Sequence, residues 1–223
     1  MAKKKKSLNT NNIMIVLLVI TVIAVSGALG FNIYSILNAE TGEGTTDVVQ
    51  TVSNEYTNDY YTIGNNPTEI NKTCFKEINT ALKEENSVGI AEAVAKTFVT
   101  EYYTWTNKDG NYDIGGMQYI YAPKQSDFET YTLYNFYVDL DLYLTQVSRN
   151  DLIEVSDVTV NSSSEGTYGV EADGGIADLP CVTVDVSWTY QASTALPTDS
   201  FQSHAIIHVV NNNGRWEIAG IEG

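Results

Sequence analysis

Apolar and polar positions divide this chain into an apolar run, a polar stretch, a helical half and a strand-rich half. Residues 13–37 contain no charged side chain, and a run of that length can cross a bilayer core of ~30 Å as a helix. Residues 38–66 are rich in Thr, Asn, Gly and acidic residues, with only scattered apolar positions such as Val48, Val49, Val52 and Ile63. From Pro67 onward the apolar residues recur at helical spacing. Ile70, Cys74, Ile78 and Leu82 form one stripe, and Ile90, Val94, Phe98, Tyr102 and Trp105 form the next. That pattern predicts two helices divided at Asn86 and Ser87, with Pro67 in the first turn and a Glu92–Lys96 pair on another face. Ser126 and Glu129 stand at capping-box spacing and open a third helix through Phe128, Tyr131, Asn135, Val138 and Leu142. Val138, Leu140, Leu142 and Leu144 also alternate as a strand would, so 138–144 fits either element.

The second half is written in a period of two. Val182, Val184, Val186, Trp188 and Tyr190 alternate with Thr183, Asp185, Ser187 and Thr189, the mark of a half-buried strand. Residues 153–160 predict an earlier strand with a bulge near Ser156 and Asp157, and 201–210 a later one. Asn211-Asn212-Asn213-Gly214 is a turn that joins the latter to Trp216, Ile218 and Ile221 in an antiparallel hairpin. Helices followed by a strand meander place the fold in the α+β class, with about three helices on one face of a curved antiparallel sheet.

Charge fixes the orientation of the apolar run. Lys3, Lys4, Lys5 and Lys6 precede it, and Lys-rich flanks stay on the cytoplasmic side. The expected organisation is a cytoplasmic basic tail (1–12), a transmembrane helix (13–37), a polar stalk (38–66) and an extracytoplasmic α+β domain (67–223). Leu37 stands where signal-peptide cleavage would need a small residue, which favours an uncleaved anchor. Four of the 12 Lys+Arg lie in residues 1–37 and all 28 Asp+Glu lie beyond them, so the exterior part is 20 charges negative. Such a domain repels phosphate backbones, and no direct nucleic-acid partner is expected. Cys74 and Cys181 both fall outside the membrane, where they are candidates for one disulfide; the alternative is two separately buried thiols.

The order of elements is similar to the cystatin-like cone named after nuclear transport factor 2. The whole layout resembles the TcpC family, conjugative-transfer proteins of Gram-positive bacteria related to the inner-membrane assembly factor of type IV secretion systems. The likeness rests on the lysine-led anchor, the polar stalk, the segment from Ala91 to Trp105, and the closing run Gly214-Arg215-Trp216-Glu217-Ile218-Ala219-Gly220-Ile221. The chain has room for one cone where some members carry two, and it differs in its acidity and its two cysteines. The resemblance implies a non-catalytic scaffold in the cell membrane that oligomerises and contacts other conjugation or secretion subunits. A surface module binding a small ligand or cell-wall fragment is the alternative, with a pocket enzyme built on a Tyr–Asp pair behind it.

Catalytic and metal motifs are thin, and no cofactor, metal or catalytic residue is assigned. His204 and His208 have H-x-x-x-H spacing, but on a strand they would sit ~13 Å apart, too far to share an ion. Asn107, Asp109, Asn111 and Asp113 alternate as calcium-loop ligands do, yet glycine comes at position 4 of that loop and Gln118 at position 12, so residues 107–116 read as a solvated loop. Asp139 and Asp141 would share one strand face. The chain has 15 tyrosines, concentrated in the helical half. Tyr102 and Tyr131 fall on apolar stripes and are expected in the core. Tyr103, Tyr134 and Tyr137 are the candidate interface residues, since aromatic side chains dominate protein–protein contacts.

Overall fold

The computed structural model describes residues 54–172 and 175–223. The anchor and most of the expected stalk therefore lie outside the described residues. Among the described residues no helix is long and apolar enough to cross a membrane.

Helix α1, Glu69–Lys83, starts at Thr68, whose side chain accepts from Asn71 N; Pro67 stands just ahead of the cap rather than in the first turn. Helix α2, Ser87–Tyr102, starts at Asn86, whose side chain accepts from Gly89 N. Each cap satisfies an amide that the first helical turn leaves unpaired. The two stripes face inward: Cys74, Phe75 and Ile78 of α1 and Ile90, Val94 and Phe98 of α2 are buried in one core. The expected Glu92–Lys96 pair does not form. Lys96 reaches across to Glu77 on α1 at 2.5 Å, and Glu92 accepts from Ser163 at 2.5 Å, because these side chains face neighbouring elements rather than each other.

Four strands form one antiparallel sheet in sequence order: β1 Val155–Ala172, β2 Gly175–Tyr190, β3 His204–Asn212 and β4 Arg215–Glu222. Helix α2 packs on this sheet. Val182, Val184, Val186 and Trp188 on β2, with Ala205, Ile207 and Val209 on β3, supply its inner face. Register shifts at Val155/Asp157 and Val160/Ser162 put the expected bulge at Ser156 and add a second one. Asn213 (φ 54°) and Gly214 (φ 93°) make the β3–β4 turn, the left-handed pair that a two-residue hairpin requires.

Three features depart from the sequence pattern. The β1–β2 ribbon is far longer than expected, pairing without a break from Ser162↔Asp185 to Ala172↔Gly175. On the opposite sheet face Tyr168 stacks on His208 at 4.5 Å, and a second cluster forms from Tyr121, Val170, Cys181 and Val210. The folded unit also reaches back before Pro67. Tyr61, within the expected stalk, is buried; its hydroxyl donates to Trp216 O (2.6 Å) and accepts from Trp216 N (3.0 Å). Finally, the candidate disulfide is absent. Cys74 lies in the main core and Cys181 in the second cluster, and both are free, buried thiols. Burial pushes the Cys74 thiol up to about 12, so it behaves as a small apolar side chain.

Candidate functional site: an aromatic cavity and an acidic apolar strip

The site is assembled by the segment between α2 and the sheet. Helix α3, Gln125–Tyr134, follows a short 3-10 turn at Ala122–Lys124. Lys124 enters it already in helical conformation and makes no side-chain cap, so the expected capping box at Ser126 does not form. The third helix also does not run through to Leu142. It breaks at Asn135, whose side-chain amide donates to Tyr131 O at 2.7 Å while Tyr137 N reaches Thr132 O at 2.9 Å. Helix α4, Leu140–Gln146, then begins, which settles most of 138–144 as helix.

That break decides which rings go in. Tyr137 turns inward and is fully buried, with its hydroxyl donating to Tyr102 O at 2.8 Å. Tyr103 is buried too, 4.4 Å ring to ring from Trp188. Both were candidate interface residues on sequence grounds, and both are core. Tyr134 keeps that candidacy at 77 % exposed, and Tyr131, expected in the core, is 60 % exposed. With half-exposed Val138, in the turn between the two helices, and Leu142 on α4, they are a strip of exposed apolar positions along the chain from α3 into α4. Asp127, Glu129, Asp139 and Asp141 are exposed in the same segment, and no Lys or Arg occurs from Gln125 to Ser148.

Beside the strip opens a cavity of about 590 Å³, within the 300–1,000 Å³ of typical ligand sites. Its lining is mainly ring and aliphatic: Tyr102, Phe128, Tyr131 and Phe136 face Ile218 and Ile221 of β4. Phe98 and Tyr102, one helical turn apart on α2, stack at 5.2 Å and 12°, and Phe128 and Phe136 close on Tyr102 at 5.1 and 5.2 Å. Offset aromatic contacts of this kind each add ~0.5–1.5 kcal/mol beyond burial. The cavity wall is therefore held by core packing, and Lys124, the one Lys or Arg in the lining among the described residues, is paired to Glu171 at 3.1 Å.

The other candidates are accounted for by local structure. His204 and His208 lie on β3, where His204 meets Asp185 at 2.9 Å and His208 meets Glu222 at 3.1 Å. In the 107–116 loop, whose alternating oxygen-bearing side chains raised the calcium comparison, Asp109 pairs with Arg149 and Asp113 accepts from Asp109 N. Among the described residues no group of three His, Cys, Asp or Glu side chains is placed to hold a metal ion. Asp139 and Asp141 sit at the start of α4 rather than on a strand, and Asp141 accepts from Asn111 N at 2.7 Å.

A buried polar network that no sequence motif marks lies next to the cavity wall. Glu101 near the end of α2 accepts from Gly116 N (3.1 Å), Gly64 N (3.2 Å) and Asn71 Nδ2 (3.4 Å). Lys108, equally buried, donates to Asn107 Oδ1 at 2.6 Å. Burial raises the Glu101 carboxyl above the usual range, opposed by those donors and by the Lys108 charge. Burial likewise pushes the Lys108 ammonium down to about 8, opposed by Glu101, Asp113 and Asp109. Gly116 (φ 76°) and Gly115 let the loop approach, since a Cβ on Gly115 would collide with the Glu101 carbonyl.

The buried tyrosines make a pH prediction. Burial raises Tyr102 to about 12, and it raises Tyr61, Tyr103, Tyr119, Tyr137 and Tyr190 as well. The unfolded value is ~10. Stability linked to these groups is thus complete below pH ~10 and is lost as pH rises through the folded values. An alkaline absorbance titration is expected to show a late phase coincident with loss of circular dichroism. One smooth phase centred near pH 10, with the fold intact, would contradict the burial.

No family model, curated protein or solved structure matches this chain.

Proposed function

We propose that this chain is a TcpC-like, membrane-anchored assembly subunit of a Gram-positive conjugative type IV secretion system. In this reading residues 13–37 are the single span, the N-terminus is cytoplasmic, and the α+β domain is a nuclear transport factor 2-like cone outside the membrane. The observation that carries it is the exposed strip of Tyr131, Tyr134, Val138 and Leu142. Clustered exposed apolar residues with a polar surround mark interaction surfaces. Tethering to a membrane raises the effective concentration of such surfaces and of the chain itself, so weak contacts accumulate into a complex, with other transfer subunits through the strip and with further copies of the chain through other faces. The reading gives the domain no catalytic step.

The test is crosslinking of the intact protein in its native membrane, followed by affinity recovery and mass spectrometry. Recovery of a transfer ATPase or channel subunits is the expected result. Recovery of the protein alone would overturn the reading. A second reading, a surface module for a small ligand or cell-wall fragment, is favoured by the size of the cavity. It predicts a monomer whose melting temperature rises with one such molecule and whose membrane crosslinks are empty.

A further inference from the structure

We infer that the strip and cavity receive a basic amphipathic segment of a partner protein, with aliphatic side chains entering the cavity and Lys or Arg side chains meeting the acidic rim. This rests on the assembly reading and names the chemistry of the partner. The apolar part of the argument is the cavity itself: about 590 Å³ lined by Tyr102, Phe128, Phe136, Ile218 and Ile221, continuous at Tyr131 with the exposed strip. Its volume suits a few aliphatic side chains, and desolvated aromatic walls are where interface energy concentrates.

Charge selects among occupants. Asp127 lines the cavity, Glu129, Asp139 and Asp141 are exposed in the same segment, which holds no basic residue, and Lys124 is engaged by Glu171. Anionic lipid headgroups would be repelled. A second copy docking through the same surface would set these carboxylates against their own symmetry mates. A cationic segment gains from both features, because complementary potentials steer encounter and fix register. Arg or Lys over the faces of Tyr131 and Tyr134 adds a cation–π contact.

The test uses full-length protein in neutral-lipid nanodiscs and three labelled helical peptides read by anisotropy. One peptide has a leucine face and a Lys/Arg face, one the same leucine face with Glu, and one Lys and Ser with no apolar face. The first is expected to bind at least about tenfold tighter than either other and to weaken as salt approaches ~0.5 M. Tyr131→Ser with Val138→Ser is expected to weaken it about tenfold. Asp127→Asn, Glu129→Gln and Asp139→Asn together should flatten the salt dependence. All five side chains are exposed, so the fold is retained, and circular dichroism checks this. Equal binding of the Glu peptide or the Lys/Ser peptide, or unchanged binding by the serine variant, would overturn the inference. So would equal affinity for phosphatidylglycerol vesicles. Membrane crosslinks that recover transfer subunits while the basic amphipathic peptide is ignored would also overturn it, and would leave the assembly reading standing.

Discussion

Glu101→Ala is expected to cost about 3–5 kcal/mol of unfolding free energy, roughly 10 °C or more in midpoint for a domain of this size. The carboxylate is 3 % exposed and is the acceptor for Gly116 N, Gly64 N and Asn71 Nδ2. Alanine removes the acceptor of the Gly116 and Gly64 amides, leaves Asn71 Nδ2 with Thr100 Oγ1 alone, and takes from the buried Lys108 ammonium the largest of its favourable charges. Glu101→Gln should cost less, because three donors, counting Tyr119, converge on Oε1 and only Gly116 N uses Oε2. Thermal or denaturant unfolding of both variants checks this. An alanine variant within about 1 kcal/mol of wild type would mean that the network is not a structural clamp.

Serine at Tyr131, Tyr134, Val138 and Leu142 together is expected to have the reverse profile. These side chains are 52–77 % exposed, and exposed substitutions usually change stability by no more than ~0.5 kcal/mol each. The fold should therefore persist. Truncating aromatic hot spots costs ~2 kcal/mol or more each in binding, so on the proposed assembly reading affinity for a partner should fall by about a hundredfold or more, and membrane crosslinking should lose the subunits it captures. Ile176→Ser is an equally exposed change outside the strip and should leave both readouts unchanged. A quadruple variant that keeps its partners would show that the complex forms through another surface.

Much of the scaffold is legible in the sequence because burial there follows one period. The stripes of Ile70 to Leu82 and Ile90 to Phe98 face a single core, the alternation of Val182 to Trp188 faces α2, and Asn213-Gly214 has one natural turn. Legibility fails where both faces of an element share a character. Residues 162–172 pair with 175–185 as a ribbon although Ser162, Ser163, Ser164 and Glu165 are polar in succession, so no alternation announces a strand. It also fails where a break carries no Gly or Pro. The chain turns at Asn135 through side-chain and backbone bonds, and that turn puts Tyr137 in the core and the Tyr131 stripe in solvent. Of the three candidate interface tyrosines, only Tyr134 is on the surface. Tyr103 and Tyr137 could not be told from it, since tyrosine suits cores and interfaces equally. The Glu101–Lys108 network joins residues from four separate segments, and each looks like an ordinary surface charge or polar group until the loops close over it.

The most direct test of the central claim is a photo-crosslinking amino acid placed at Tyr134 in the intact protein, in cells carrying the transfer machinery. The same probe at Glu165, exposed on the ribbon, serves as the reference. If the strip is the assembly surface, the Tyr134 probe should capture a defined transfer subunit through a basic, apolar-faced segment, and the Glu165 probe should not. No adduct at Tyr134, or the same adducts at both positions, would contradict it.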